Sequence, residues 1–525
     1  MEETSVAIDG GGNGKMEKVD ILEEFGLRQG VEHLHLECKE AGGNLPRSFW
    51  ETYSSFANTS GGVVILGVKE NKGDRTFSVT GVSNPYELVK NLHDTLSNRS
   101  KVNLDVLQSD SVEIVEDVSG KKVILIYVPE ASEKQKPIYL NQNNQNSYIR
   151  KGEADIRASE DELNAMIRNS ATLSFDSRVM KDYCLDDLDK STLSEFKGKV
   201  SAVFPDNGYD DMNFDEFLIN TGFFGRIGAG REYYPTVGCI MLFGKYNAIK
   251  EVIPSYFLDY INYRGNSERW ADRLSSDLPN SREMNIFNFY NMVYSKLEAL
   301  DQSEFLLGED MVRLDPSLKP ALREALVNTL AHADYTIPRG SVKVLAYDDR
   351  YVFRNPGCML IKPEDFFVGG KSEIRNEVIM KCFRMLHLSE REGMGGSRIF
   401  KVTSENKVRA PQIDTSLMTT ELTIWRVDIA EYPDLGEREK TILRYIAKAG
   451  REVKSKELLE RFPEYKRDSL YAGLAVLQGK GMIQKKGASV STSYVFCPAS
   501  LNTSSDTNKE KQVFMDIVRR ASEKG

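Results

Sequence analysis

The sequence predicts a multidomain α+β protein, and three observations carry that prediction. A chain of 525 residues exceeds what one hydrophobic core supports, so about three or four domains follow. Segments with the apolar period of a helix alternate with short unbroken apolar runs bounded by glycine, the mark of buried strands. The character of that alternation changes near Ser170, Asp315 and Glu437, and each change is a candidate boundary.

Composition narrows the class. A hydrophobic fraction of 40% and a charged fraction of 28% are those of globular proteins. A net charge of -9 excludes a chain coated in positive charge, but leaves room for a local nucleic-acid surface. Cys38, Cys184, Cys239, Cys358, Cys382 and Cys497 form no CxxC pair, so neither a disulfide framework nor a zinc spacing is present, and reduced thiols in a cytosol fit best. No apolar run reaches the roughly 18 residues of a membrane span, and the N-terminus lacks a signal-peptide layout. A soluble cytoplasmic protein with no membrane partner is expected. Residues 1–16 begin with the glycine-rich stretch Met1 to Lys15 and are expected to be a flexible extension or tag.

Residues 17–171 read as one α+β domain. A helix is expected over Arg47 to Asn58, then Gly61-Gly62 and the buried strand Val63 to Leu66. Val123 to Val128 and Ser147 to Gly152 are further strands, and Ser159 to Arg168 is a closing helix with a serine cap and acidic first turn. Residues 172–314 read as a connecting α/β region, with helices at Leu185 to Val203 and Met284 to Leu300 around the strand-like Gly238 to Phe243 and Tyr256 to Tyr263. Residues 315–430 alternate the helix Leu318 to Ala331, strands Ser341 to Ala346 and Tyr351 to Arg354, glycine-rich loops, the helix Glu377 to Leu386 and the strand Glu421 to Val427. Residues 436–497 give three helical segments, Glu439 to Ala449, Ser455 to Arg461 and Arg467 to Gly479, and then two short strands within Met482 to Phe496. That order reads as a winged helix-turn-helix. The tail, 498–525, has a polar linker at Asn502 to Asn508 and an amphipathic helix at Gln512 to Arg520 with no assigned task.

Within 315–430, Glu324 and Asn328 stand four residues apart and so project from one helix face. There a carboxylate can activate water while an amide oxygen binds Mg²⁺, a metal that takes oxygen ligands and bridges phosphates. Alone, such a pair reads first as a solvated helix face. Its sequel changes that: Ala331-His-Ala-Asp-Tyr335, Arg354-Asn-Pro-Gly357, Ser372-Glu-Ile-Arg-Asn376 and Glu390-Arg-Glu-Gly-Met-Gly-Gly396 follow in order. Over about Pro316 to Val427 these segments resemble the divergent GHKL ATPases (the HATPase_c_4 type), whose domain is a Bergerat-fold α/β sandwich. The resemblance implies ATP as ligand, Glu324 as general base and Asn328 as Mg²⁺ ligand. It also implies base recognition by Asn355 and Gly357, and a phosphate-facing lid at Gly393, Gly395 and Gly396. Glycines suit such a lid because backbone N–H groups without a Cβ can approach phosphate oxygens. Ala333 stands where the family carries Arg, which implies binding with slow or no hydrolysis. His332 and Asp334 are expected as satisfied helix-end residues.

Near the N-terminus, Glu32-His-Leu-His-Leu-Glu-Cys-Lys-Glu40, if extended, sets Glu32, Leu34, Leu36 and Cys38 on one face and Glu37 and Lys39 on the other. By itself this is a polar-edged strand. With Phe56-Ala-Asn-Thr-Ser-Gly-Gly62, the strand ending Gly67-Val-Lys-Glu70 and Tyr148-Ile-Arg-Lys-Gly152, the ensemble from about Glu32 to Asn169 resembles the Schlafen AlbA_2 domain. In nuclease members of that group three acids hold a divalent metal against a nucleic-acid phosphate. The matching positions are Glu32, Glu37 and Glu70, for Mg²⁺ or Mn²⁺, and metal-dependent phosphodiester cleavage is the enzyme activity implied. Lys39, Arg150 and Lys151 are expected as phosphate contacts, contributing salt-dependent affinity. In the winged helix-turn-helix, Lys466 and Arg467 open the recognition helix and Lys485-Lys486 lies on the wing.

Together these features lead to an ATP-binding protein that binds, and in the nuclease reading cleaves, RNA, tRNA or DNA under nucleotide control, as a homo-oligomer, with anti-phage defence as its setting. The alternative is a non-catalytic, ATP-sensing, DNA-binding transcriptional regulator.

Overall fold

The structure is a computed structural model. It describes residues 18–29, 34–71, 73–74, 76–228, 230–265, 269–301, 317–389, 393–430, 432, 434–449, 451–487, 492–496 and 509–522. The expected extension 1–16, the linker Asn502 to Asn508, Glu32, Glu390 and Glu392 lie outside the described residues. The chain divides into two compact units, 1–170 joined by 506–525, and 171–505.

The first unit is built on a five-stranded sheet in the order Lys18–Val19, Val112–Asp117, Lys122–Val128, Gly62–Leu66, Leu36–Lys39. Gly62–Leu66 runs antiparallel to Lys122–Val128 and parallel to Leu36–Lys39. All five residues of Gly62–Leu66 are buried, because both faces of this sheet are covered. On one face Val64, Leu66, Ile124 and Ile126 pack with Phe49, Tyr53 and Phe56 of the helix Phe49–Asn58 and with Leu88, Leu92 and Leu96 of Pro85–Ser97. On the other, Val63, Ile65, Val123 and Leu125 pack with Ile21, Phe25, Phe514 and Ile517. The helix Lys509–Ser522 therefore returns from the C-terminus to complete the first unit, where Phe514 lies 5.9 Å from the ring of Tyr127 and Arg520 pairs with Glu24 at 2.9 Å.

The Phe56-Ala-Asn-Thr-Ser-Gly-Gly62 segment has a structural task. Asn58 donates to the carbonyls of Ile138 (2.8 Å) and Tyr148 (2.9 Å) and accepts from Ile138 N (2.7 Å), so one buried amide satisfies three backbone groups from two distant segments. A Cβ at Gly62 would stand 2.6 Å from the Phe56 ring.

The second unit holds a six-stranded sheet in the order Asp272–Ser275, Leu258–Asn262, Val342–Ala346, Arg350–Pro356, Thr419–Trp425, Gln412–Thr415. Only Leu258–Asn262 with Val342–Ala346 is parallel; the other pairs are antiparallel. The helices Ile286–Leu300, Lys319–His332, Glu377–Met385 and Gly395–Glu405 share one core with this sheet. Two expectations are corrected here. Residues 172–314 are not merely a connector, since Leu258–Asn262 and Asp272–Ser275 are strands of the same sheet as Arg350–Pro356. The strand-like Gly238 to Phe243 belongs to the helix Val237–Phe243, all of it buried, with Thr236 Oγ1 accepting from Cys239 N at 3.1 Å as its cap. A helix apolar on every side has no period, so a short buried one reads like a buried strand.

Residues 437–496 form a smaller cluster with its own core, including Ile442, Leu458, Leu470, Leu474 and Ile483. Helices Glu437–Ala449, Ser455–Arg461 and Arg467–Gly479 are accompanied by a three-stranded antiparallel sheet in the order Val453–Lys454, Ser493–Phe496, Ile483–Lys486.

Candidate nucleotide site and acidic cluster

The helix Lys319–His332 has Pro320 in its first turn, where a missing N–H costs nothing. It is packed on nearly all sides, and Glu324 is buried with it at 4% exposure. Asn328 Nδ2 lies 3.1 Å from Glu324 Oε1. A carboxylate only accepts, so the amide nitrogen must face it, and Asn328 Oδ1 is the oxygen left for another partner. Both side chains line a cavity of about 110 Å³. Asn355, Gly393, Gly395 and Gly396 line the same cavity, so three separate segments converge on it.

The glycines have steric reasons to be there. At Gly395 a Cβ would stand 2.2 Å from Glu324 Oε1, and at Gly396 2.1 Å from the Phe366 carbonyl oxygen. The first turn of Gly395–Glu405 can therefore press directly onto Glu324. Gly393 has φ +62 and its Cβ would lie 2.4 Å from the Lys371 carbonyl. Gly357, expected at the base, is not among the cavity-lining residues. It takes φ +91 in the turn after Arg350–Pro356, where a Cβ would meet Asp334 at 2.9 Å. Asn355 is 7% exposed and stands opposite Thr420, whose hydroxyl donates to the Gly357 carbonyl at 2.8 Å.

The Ser372-to-Asn376 motif closes the helix end. Arg375 donates to the carbonyls of His332 (3.0 Å) and Cys358 (2.9 Å), and Asn376 Nδ2 to those of Ala331 (2.9 Å) and Ala333 (2.7 Å). Carbonyls orphaned at a helix C-terminus are satisfied in this way. Crowding by protein and the Arg375 charge push His332 down to about 4, so it is a neutral imidazole at pH 7.

Sequence reasoning missed Lys371 and the apolar wall formed by Met359, Ile361, Ile413 and Leu422, all of which line the cavity. The signal for Lys371 was present in Gly369-Gly-Lys-Ser372, a short glycine turn with φ +83 and +86 that presents an exposed lysine. The wall had none, being gathered from two segments some 50 residues apart.

In the first unit, Glu37 is engaged twice. Its Oε1 accepts from Lys39 Nζ at 2.9 Å and its Oε2 from Arg150 Nη2 at 3.0 Å. Arg150 also pairs with Asp155 at 2.9 Å, lies over the Phe56 ring at 5.2 Å and has a side chain only 1% exposed. Lys39 and Arg150, expected as phosphate contacts, are both buried, and a buried charge is held where its partners are. Lys151 is exposed and pairs with Glu162 at 2.9 Å. Glu70 sits half-exposed in the hairpin Val68–Asn71 with Thr76–Val79, outside the five-stranded sheet. Among the described residues no group of three or more His, Cys, Asp or Glu is placed to hold a metal. In the C-terminal cluster, Lys466 and Arg467 are exposed at the start of Arg467–Gly479, and Lys485 and Lys486 are exposed on Ile483–Lys486.

A fold of this kind, with Glu324 buried and Asn328 half-buried on one cavity, is that of an ATPase-like domain joined to a separate sheet domain. The comparisons with known proteins agree: the chain carries a Schlafen AlbA_2 domain over residues 32–159. It also carries a domain matching the model described as "Putative ATP-dependent DNA helicase recG C-terminal" over 340–424. Residues 164–259 match a domain of unknown function, DUF8451. Among solved structures, the DIP2311 protein from Corynebacterium diphtheriae is 14% identical, with 88% of this chain and 95% of that one covered and a TM-score of 0.39. The N-terminal domain of a RecG-related protein from Nitrosomonas europaea is 26% identical over 27% of this chain and 94% of that one, with a TM-score of 0.21. Among curated proteins nothing matches. The two domains mark an ATP-dependent, nucleic-acid-related protein. No helix of the described residues is long and apolar enough to cross a membrane.

Proposed function

We propose that this protein binds ATP with Mg²⁺ in the cavity around Glu324 and Asn328, and that nucleotide occupancy controls nucleic-acid binding by the AlbA_2 domain. The observation that carries the reading is the convergence of Glu324, Asn328, Asn355 and Gly395 on one cavity beside an apolar wall. The residues fit the metal: Asn328 Oδ1 is the hard oxygen left after its Nδ2 is committed to Glu324, and Mg²⁺ takes such oxygens together with phosphate. Asn328 would hold the ion, which would supply charge neutralisation to the phosphates. Glu324, held by Asn328, is placed to accept a proton from water, and Lys371 supplies a cation at the cavity edge. The apolar wall excludes water from a flat base, which Asn355 can address through its amide.

The finer reading gives the AlbA_2 domain metal-dependent cleavage by Glu32, Glu37 and Glu70, with Mg²⁺ or Mn²⁺, in an assembly of several copies acting against invading nucleic acid. At Glu37 a metal would share the carboxylate with Lys39 and Arg150, each of which takes one of its oxygens. The test is hydrolysis of labelled RNA and DNA with Mg²⁺ or Mn²⁺, with and without ATP. Loss of cleavage in Glu32→Ala and Glu37→Ala supports it; binding without cleavage in the wild-type chain sinks it. Phage plaque counts on cells carrying Glu324→Ala test the defence setting.

The paired state of Glu37 favours one second reading, a regulator that does not cut. There residues 437–496 act as a winged helix on DNA through Lys466, Arg467, Lys485 and Lys486, with ATP sensed rather than spent. Sequence-selective DNA binding lost in Lys466→Ala/Arg467→Ala identifies that case.

A further inference from the structure

Among the described residues that line the nucleotide cavity, Lys371 is the one that carries positive charge at pH 7, His332 being neutral there. Two glycines set its place. Gly369 and Gly370 take φ +83 and +86 after the helix Pro363–Val368, a left-handed turn that side chains resist. Gly369 N donates to the Asp365 carbonyl at 2.9 Å. The chain doubles back, and Lys371 Nζ meets the Asp365 carboxylate at 2.9 Å. Both partners reach solvent, the lysine side chain being 65% exposed and the aspartate 34%.

The same turn lies against the glycine lid. Gly370 N donates to the Gly393 carbonyl at 3.3 Å, and a Cβ on Gly393 would stand 2.4 Å from the Lys371 carbonyl oxygen. A Cβ on Gly369 would lie 3.1 Å from Ser397 Oγ, in the first turn of Gly395–Glu405. Gly395 in turn abuts Glu324. Through the lid, Lys371 thus joins the Glu324–Asn328 end of the cavity, the end read above as facing phosphate.

Magnitudes decide which partner Lys371 keeps. An ion pair this open to water contributes little, whereas a charge-assisted bond to phosphate in a partly enclosed cavity is among the stronger polar contacts. A polyphosphate also brings several negative charges to a cavity already lined by Glu324 and Glu373, which favours turning the one cation inward. Lys371 stands at the exposed rim, so the phosphate within its reach is the outermost. We infer that Lys371 exchanges Asp365 for the terminal phosphate of a bound nucleoside triphosphate, and so makes the site select a triphosphate over a di- or monophosphate. This rests on the reading of the cavity as a nucleotide site. Because Gly370 is hydrogen-bonded to Gly393, the exchange is passed to the glycine turn in front of Glu324.

The experiment is calorimetric titration of the full chain with the β,γ-imido analogue of ATP, with ADP and with AMP, each in the presence of Mg²⁺. It is repeated on Lys371→Met, Lys371→Arg, Asp365→Asn and the double variant Lys371→Met/Asp365→Asn, with circular dichroism as the check of folding. Lys371→Met is expected to weaken the analogue about tenfold or more, ADP by a smaller factor and AMP not at all, and Lys371→Arg to keep most of the affinity. Asp365→Asn removes the competing carboxylate and should tighten the analogue by up to about fivefold, a gain that vanishes in the double variant. The proposal is overturned if natively folded Lys371→Met binds the analogue as wild type does, if it loses the same factor for all three nucleotides, or if Asp365→Asn weakens the analogue. A wild type that binds none of the three overturns the nucleotide reading itself, and this proposal with it.

Discussion

At the scale of single residues, Glu324 owes its position to a residue that has no side chain. The 2.2 Å separation between Glu324 Oε1 and the place of a Cβ on Gly395 leaves no room for a methyl group. Gly395→Ala must push the glycine turn or the carboxylate aside, at about 1–3 kcal/mol by analogy with overpacking. It is expected to weaken Mg²⁺-ATP binding, read by calorimetry, with the unfolding midpoint changed less. Asn328→Ala should remove the Mg²⁺-dependent increment of nucleotide affinity while leaving metal-free binding largely in place. Asp176 provides a residue-level pH test. It is fully buried, and one of its oxygens accepts from Val378 N (2.8 Å) and Ile379 N (2.9 Å) at the start of Glu377–Met385. Burial, outweighing these hydrogen bonds, raises its pKa from 3.8 to about 6. The folded value lies above the unfolded one, so its contribution is full below pH 3.8 and is lost as pH rises to about 6. Against Asp176→Asn, which can still accept both N–H groups, wild-type stability in urea should fall between pH 4 and pH 6, by about 3 kcal/mol at most, and run parallel above that. A difference that grows in the opposite direction would refute the assignment.

At the scale of elements, amphipathic helices were legible and their partners were not. The apolar stripe of the last helix was visible from Gln512 to Arg520, yet no pattern in it specified which surface it would cover. The structure sets Phe514 and Ile517 against Val63, Ile65 and Leu125, more than 380 residues earlier in the chain. Phe514→Ala should therefore destabilise the first unit by about 3–5 kcal/mol, measurable as a lower urea midpoint for that unit, and leave nucleotide binding by the second unchanged. The Ser372-to-Asn376 motif teaches the converse lesson. Its order in the chain pointed to a nucleotide domain, but its arginine and asparagine are spent on helix-end carbonyls, a task that only spatial neighbours reveal. The buried Val237–Phe243 helix was misread because an element surrounded by protein shows no polar face.

At the scale of the whole molecule, two compact units with separate cores should not unfold as one. Scanning calorimetry is expected to resolve at least two transitions. Saturating Mg²⁺-ATP should raise the one belonging to 171–505, by about 2.7 kcal/mol of stabilisation at a hundredfold excess over Kd. A single transition would contradict the independence of the two units, and a shift confined to the other unit would contradict the placement of the nucleotide site.

The sequence by itself determined the α+β class, the two recognisable domains, most helices and the Glu324–Asn328 pair, because each is written in local period, glycine punctuation or short ordered motifs. The tertiary structure decided what depends on residues far apart in the chain. It brought Leu258–Asn262 into the nucleotide sheet, set Arg150 and Lys39 around Glu37, and returned the final helix to the first unit. Hydrogen bonding and apolar burial act between neighbours in space, and a linear pattern records which groups must be satisfied without recording by whom.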